Sequence, residues 1–138
     1  MSAAAAFIGF LVVAAVAAAL FESRRLPKKR ARFDNRESTQ PSDVFRTHYK
    51  DHGITEARFL ELWSNAAQIL KLDATKLRPS DRFDVELGPV KGHLAEDEIV
   101  DLQEYYSAEC KRLGLQHPPH LQTLGDLVRI LGAGAESP

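Results

Sequence analysis

The sequence predicts an all-α protein: a small four-helix bundle preceded by one transmembrane helix. Three observations lead there. Residues 3 to 21 form 19 consecutive residues without a charge, a proline or an amide. Later stretches repeat apolar residues at spacings of three and four, the period of one helix face. Nowhere do apolar and polar residues alternate as they would in a half-buried strand. The 138 residues suffice for one small domain plus an appendage.

The apolar run reads AAAAFIGFLVVAAVAAALF. As a helix it would reach about 28 Å, close to the hydrocarbon thickness of a bilayer. A cleaved signal peptide is the rival reading, and AVAAAL offers small residues for cleavage. Yet no Lys or Arg precedes the run, whereas a secretory signal begins with positive charge. The charges follow it instead, at Arg24, Arg25, Lys28, Lys29, Arg30 and Arg32. Positive flanks stay on the cytoplasmic side. The expectation is a single-pass membrane protein anchored in the lipid bilayer through residues 1–23, with its N-terminus outside and its C-terminal domain cytoplasmic.

Net charge is −1, but the charges are unevenly distributed along the chain. Residues 22 to 37 hold seven basic and three acidic side chains; residues 38 to 138 hold 11 basic and 16 acidic ones. A nucleic-acid-binding domain would be strongly basic, so nucleic acid is not an expected partner. Residues 24–41 are expected as a basic juxtamembrane linker, a topology signal that can also rest on anionic lipid. FDNRESTQPS, residues 33 to 42, is polar and lacks apolar periodicity.

The helical domain is expected over residues 42–134, with 135–138 as a tail. Ser42 is the expected cap of a short helix carrying Val44, Phe45, His48 and Tyr49, with Gly53 ending it. In ITEARFLELWSNAAQILKL, Thr55 is the N-cap, and Ile54 with Phe59 fits a hydrophobic staple. Phe59, Trp63, Ala66 and Leu70 then share one face. Residues 73 to 93 hold two prolines and two glycines and read as a long loop. Its Leu77, Phe83, Val85 and Leu87 are expected to point inward. In the next helix Ile99, Leu102, Tyr106, Cys110 and Leu113 form the apolar face, and Gly114 is a natural C′ residue. In the last, Thr123 and Asp126 make a short-armed capping box ahead of Leu124, Leu127, Val128 and Leu131.

The order of these parts resembles the acyl carrier protein family over about residues 54 to 131. LRPSDRF resembles the family's loop segment leading to a buried phenylalanine, and TLGDLVRIL resembles its last helix. The resemblance implies a four-helix acyl-carrier-like bundle. The family carries phosphopantetheine on the serine of an Asp-Ser-Leu motif at the start of its second long helix. The matching tetrapeptide here is EIVD, residues 98 to 101, which places Ile99 on that serine. No Asp-Ser-Leu occurs in the chain, and the loop before EIVD is about eight residues longer than the family's usual one. Ser80 and Ser107 lie elsewhere, away from a helix start that would favour a phosphate. The sequence therefore looks like a carrier fold without the carrier chemistry.

Acids crowd the same helix. Glu96, Asp97 and Glu98 suit the positive end of a helix dipole, at about 0.3–1 kcal/mol each. Glu98, Asp101 and Glu104 also form an acidic stripe like the family's partner-docking helix, and these three are the candidate docking residues for a protein partner with a basic surface. Other chemistry finds little support. His48 with His52, and His117 with His120, lack an acid at a recognisable ligand spacing, so no metal is expected. Cys110 falls on an apolar face, where a buried structural thiol is the default. There is no Gly-rich phosphate loop and no GxSxG elbow.

The sequence thus points to a monomeric, non-catalytic, membrane-tethered interaction module without a cofactor. The alternative is a true acyl or peptidyl carrier modified at an unrecognised serine. An enzyme with an unfamiliar site is the third possibility, and no constellation of residues supports it.

Overall fold

The computed structural model describes residues 3–88 and 97–134. The described chain is all-helical: α1 spans Ala3–Asp34, α2 Pro41–His48, α3 Glu56–Leu70, α4 Asp97–Arg112 and α5 Leu124–Gly134, with a 3-10 turn over Ala74–Lys76. No strand occurs among these residues, only an isolated antiparallel bridge between Arg82 and Thr123.

Helix α3 is the centre of the domain, and α2, α4 and α5 all pack on it. Its sequence explains why it forms. The Thr55 hydroxyl accepts from the Arg58 amide at 3.1 Å, filling one of the donors a helix start leaves open. Ile54 and Phe59 are both buried, as the staple requires. Phe59, Leu62, Trp63, Ala66 and Leu70 are fully buried along one face. Phe59 stacks on Trp63 with ring centroids 5.2 Å apart, and Trp63 Nε1 donates to the Ala74 carbonyl at 3.0 Å. A buried indole N–H needs such a partner. The helix ends at Lys71, which takes a left-handed conformation with φ of 56°.

The other helix ends follow local chemistry as closely. The Asp126 amide donates to the Thr123 hydroxyl at 3.2 Å, and the Asp126 carboxylate accepts from the Thr123 amide at 3.1 Å. That is the reciprocal capping box. Gly114 has φ of 75°; its amide reaches the Lys111 carbonyl while the Leu115 amide reaches Cys110, a Schellman turn. Gly125 is required for a different reason. A Cβ there would lie 2.9 Å from the Pro79 carbonyl oxygen, so the loop can reach α5 only where there is no side chain.

Several expectations are corrected. Helix α2 begins at Pro41 after an N-cap at Gln40, so Ser42 lies within the first turn and is not the cap. Proline suits that place because its missing N–H has no intrahelical partner there anyway. Leu77 and Leu87 are buried and Phe83 is half-buried, but Val85 is exposed. It sits within a turn closed by the Leu87 amide on the Arg82 carbonyl, which aims it outward.

The transmembrane anchor is also corrected. Among the described residues no helix is long and apolar enough to cross a membrane. Nine of the 19 residues in the run are alanine, which is only weakly apolar, and its helix continues directly into the basic residues. The single-pass placement, with an outside N-terminus and a cytoplasmic domain, rested on that span and falls with it.

Residues 24–34, expected as the start of a linker, continue α1 without a break, and Pro27 lies inside the helix. This basic half packs on the domain. Phe33 is buried in the core, and Lys29 is 0% exposed. Arg30 Nε donates to the Lys71 carbonyl at 3.3 Å, and Arg32 reaches the carbonyls of Glu86 at 3.3 Å and Gly88 at 2.6 Å. Arg36, in the turn after α1, pairs with the buried Asp81 at 2.7 Å and stacks its guanidinium 4.6 Å over the Phe33 ring. Lys29, Phe33 and Arg36 are therefore packed against the domain expected over residues 42–134.

Two outcomes follow from this packing. Trp63→Ala should lower stability by about 3–5 kcal/mol in chemical denaturation, because a fully buried indole leaves a cavity and an unpaired Ala74 carbonyl. A chain starting at Gln40 should unfold at clearly lower denaturant than one starting at Pro27, since it lacks Phe33 and the Arg36–Asp81 pair. Equal midpoints would show that α1 adds nothing to the domain.

Candidate functional site

Helix α4 holds the three candidate docking residues, and the structure divides them. Glu98 is 1% exposed, with Oε1 3.8 Å from Lys71 Nζ. It belongs to the interior and is no part of an exposed stripe. Asp101 and Glu104 are exposed, and neither forms an ion pair with another described residue. The division follows from helix geometry. A spacing of three turns a helix by about 300°, so each step falls about 60° short of a full turn. From Glu98 to Glu104 the row swings about 120° away from the core. Glu96 lies outside the described residues, as does the side chain of Asp97.

Glu109, further along α4, is also in use. It pairs with Arg58 of α3 at 3.0 Å and with Arg112 at 2.7 Å. The hydrogen bond from Arg112 holds its carboxyl below the usual carboxylate range, with Arg58 adding to the effect against partial burial. Two of the acids on α4 thus serve the fold, whereas Asp101 and Glu104 face solvent beside Val100. Val100 is 52% exposed, an apolar side chain that no other described helix covers.

Next to this face lies a cleft of about 710 Å³ between α4, the 82–84 segment and the extended 118–122 segment. Phe83, Ile99, Leu102, Tyr106, Pro119 and Leu121 supply its apolar lining. Tyr106 fixes the far wall by donating from its hydroxyl to the Pro119 carbonyl at 2.8 Å. Burial pushes that phenol up to about 12. Ile99, which the sequence resemblance set on the family's serine position, is half-buried and lines this cleft. Ser107 lines it too, one turn beyond Gln103. Ser80 lies in the loop turn on the far side of Asp81 and is exposed.

No group of three His, Cys, Asp or Glu side chains that could hold a metal occurs among the described residues. His48, His52, His117 and His120 are exposed, and His93 lies outside the described residues. The His48 and His52 rings lie against Tyr49, each with its centroid 6.3 Å away. Cys110 is buried on the core face of α4, as its position in the apolar row implied.

No family model, curated protein or solved structure matches the chain. The acyl-carrier resemblance therefore rests on the order of the sequence segments alone.

Sequence reasoning missed the basic residues as structural partners. Lys29, Phe33 and Arg36 are spaced four and three, which is the signal of a helix face. A basic run invites a reading as a solvated collar, and that reading hid the spacing.

The ionic interactions also set an acid limit. Hydrogen bonds hold the carboxyls of Asp73, Asp84, Glu86, Glu109 and Asp126 below their ordinary range. A depressed folded-state pKa stabilises the fold above the unfolded value, near 4, and that stability is lost as pH falls through the folded value. Thermal unfolding should therefore show a plateau above about pH 5 and a falling midpoint below about pH 4. The Glu109→Gln variant should lose part of that acid dependence. An unchanged pH profile would remove Glu109 from the account.

Proposed function

We propose that this protein is a non-catalytic interaction module of acyl-carrier-like build, which docks a protein partner with a basic surface on the exposed face of α4. The observation that carries this reading is the contrast among the acids of α4. Glu98 and Glu109 are bound within the domain, while Asp101 and Glu104 stand exposed beside an exposed Val100. A solvated face ordinarily mixes both signs. Here the next basic residue after Glu104 is Lys111, about two turns on. An uncompensated acidic surface speeds association with a basic partner and adds salt dependence more than it adds affinity.

The acidic pair in this proposal is Asp101 and Glu104, without Glu98. The Ile99 side chain supports the non-catalytic part, since it has no hydroxyl to form a phosphodiester. A carrier modified at another serine is favoured only by Ser107, which is exposed on the cleft. Its place mid-helix argues against it, because the neighbouring backbone N–H groups are already used within the helix.

A photo-crosslinker at Val100 in the full-length protein should trap a basic partner in cells, and the same group at Arg129 on α5 should not. The Asp101→Lys/Glu104→Lys double variant should lose the Val100 adduct while keeping its melting temperature, since neither residue is held by the fold. Retention of the adduct in that variant defeats the proposal. A mass increase after incubation with a phosphopantetheinyl transferase, abolished by Ser107→Ala, would favour the carrier instead.

A further inference from the structure

We infer that the basic half of α1 is a strap that sets the wall of the cleft, so that docking of α1 and the shape of the cleft are coupled. Residues 71–88 connect α3 to the chain before α4 with one short 3-10 turn and one isolated bridge. Such a segment satisfies few of its own carbonyls, and a carbonyl taken from water needs a partner. Four carbonyls of the segment receive a donor from α1 or the turn after it, through part-buried bonds at Gly88 and Lys76 and exposed ones at Lys71 and Glu86. Lys71 accepts from Arg30 at 3.3 Å, Glu86 and Gly88 accept from Arg32 at 3.3 and 2.6 Å, and Lys76 accepts from Arg36 at 3.0 Å. In return Lys76 Nζ donates to the Arg36 carbonyl at 2.5 Å.

The path from strap to cleft is short. Arg36 holds the carboxylate of Asp81 through hydrogen bonds of 2.9 and 2.7 Å, and Asp81 is 1% exposed. The next residues, Arg82, Phe83 and Asp84, line the cleft. The Asp81 carbonyl accepts from the Leu124 amide at 2.9 Å, and the Phe83 amide donates to Gln122 at 3.0 Å. Both walls of the cleft are thereby tied to the residue that Arg36 holds. If the strap leaves, a buried carboxylate loses its counter-charge, and the wall must move to rehydrate it.

Coupling of this kind needs evidence beyond proximity. Hydrogen exchange on the full-length protein supplies it, read at the Phe83 and Leu124 amides for the wall, at residues 29–34 for the strap and within α3 for the core. Arg36→Gln should raise exchange at Phe83 and Leu124 about tenfold or more, the loss expected from one hydrogen bond to a buried charge, with α3 unchanged. Phe33→Ala loosens the strap and removes the ring under the Arg36 guanidinium while leaving every hydrogen-bonding group of the strap in place, and should give the same pattern. Lys28→Gln, at an exposed position, should change nothing. Faster exchange over residues 29–34 with wild-type rates at Phe83 and Leu124 would overturn the inference. So would an equal rise throughout α3, because α1 would then support the whole domain and not this wall.

Discussion

A carboxylate removed from water is costly unless its oxygens are filled, and the Asp81 side chain meets that demand from two directions while its backbone makes a third link. Arg36 brings the counter-charge from beyond α1, and the Arg78 amide donates at 2.8 Å from within the loop. The Leu124 amide takes the Asp81 backbone carbonyl at the start of α5. The hydrogen bond to Asp81 in turn raises the Arg36 guanidinium above its ordinary pKa, against the burial that lowers it. Such a pair adds little net energy compared with an apolar replacement, but removing one partner costs about 3–5 kcal/mol. Its effect is to select one arrangement of three segments that share no regular secondary structure.

The rest of the architecture depends on that selection. The chain between α3 and α4 closes only some of its own backbone hydrogen bonds, and the arginines of α1 and of the turn after it supply further donors. Because Arg30, Arg32 and Arg36 are engaged there, few charges in the described part of the run remain for an anionic surface. Helix α1 is also fixed at its base. Its exposed apolar stretch, with Ile8, Phe10, Leu11, Val12, Val13, Val16 and Leu20, continues the same helix that the domain holds.

The same economy of charge explains the face proposed for docking. Glu98 and Glu109 lie on the side of α4 that meets α3, and basic groups of α3 and its end reach them. Asp101 and Glu104 lie on the side no other described helix covers. The domain itself does not need them, and substitutions there test interaction without testing the fold. The proposed docking face and the cleft share one helix but are built differently. The face is a product of helix phase, whereas the cleft is a product of how the loop and the 118–122 segment are tied down.

Much of the helical plan was legible because its causes are local. Thr55, Thr123 with Asp126, and Gly114 act on backbone groups within a few residues, and the apolar rows of α3, α4 and α5 are periodic over two or three turns. Other features had no local cause to read. Whether Phe33 and Lys29 belong to a linker or to the core depends on a surface formed by residues 71–88, some forty positions later. The burial of Glu98 depends on helix phase relative to Lys71, which the count of acids could not express. Val85 resembles its inward neighbours in composition, and only the turn that carries it decides its direction.

By itself, then, the sequence determined the all-helical class, the caps and the buried faces, because these follow from interactions that span one or two helical turns. It also determined that no Asp-Ser-Leu motif occurs in the chain. Tertiary structure alone decided that the basic run closes the loop, that Asp81 is the junction, and that Asp101 and Glu104 but not Glu98 face outward. Each of those depends on charges and carbonyls brought together from distant parts of the chain, and distance in space is not written in the spacing of residues.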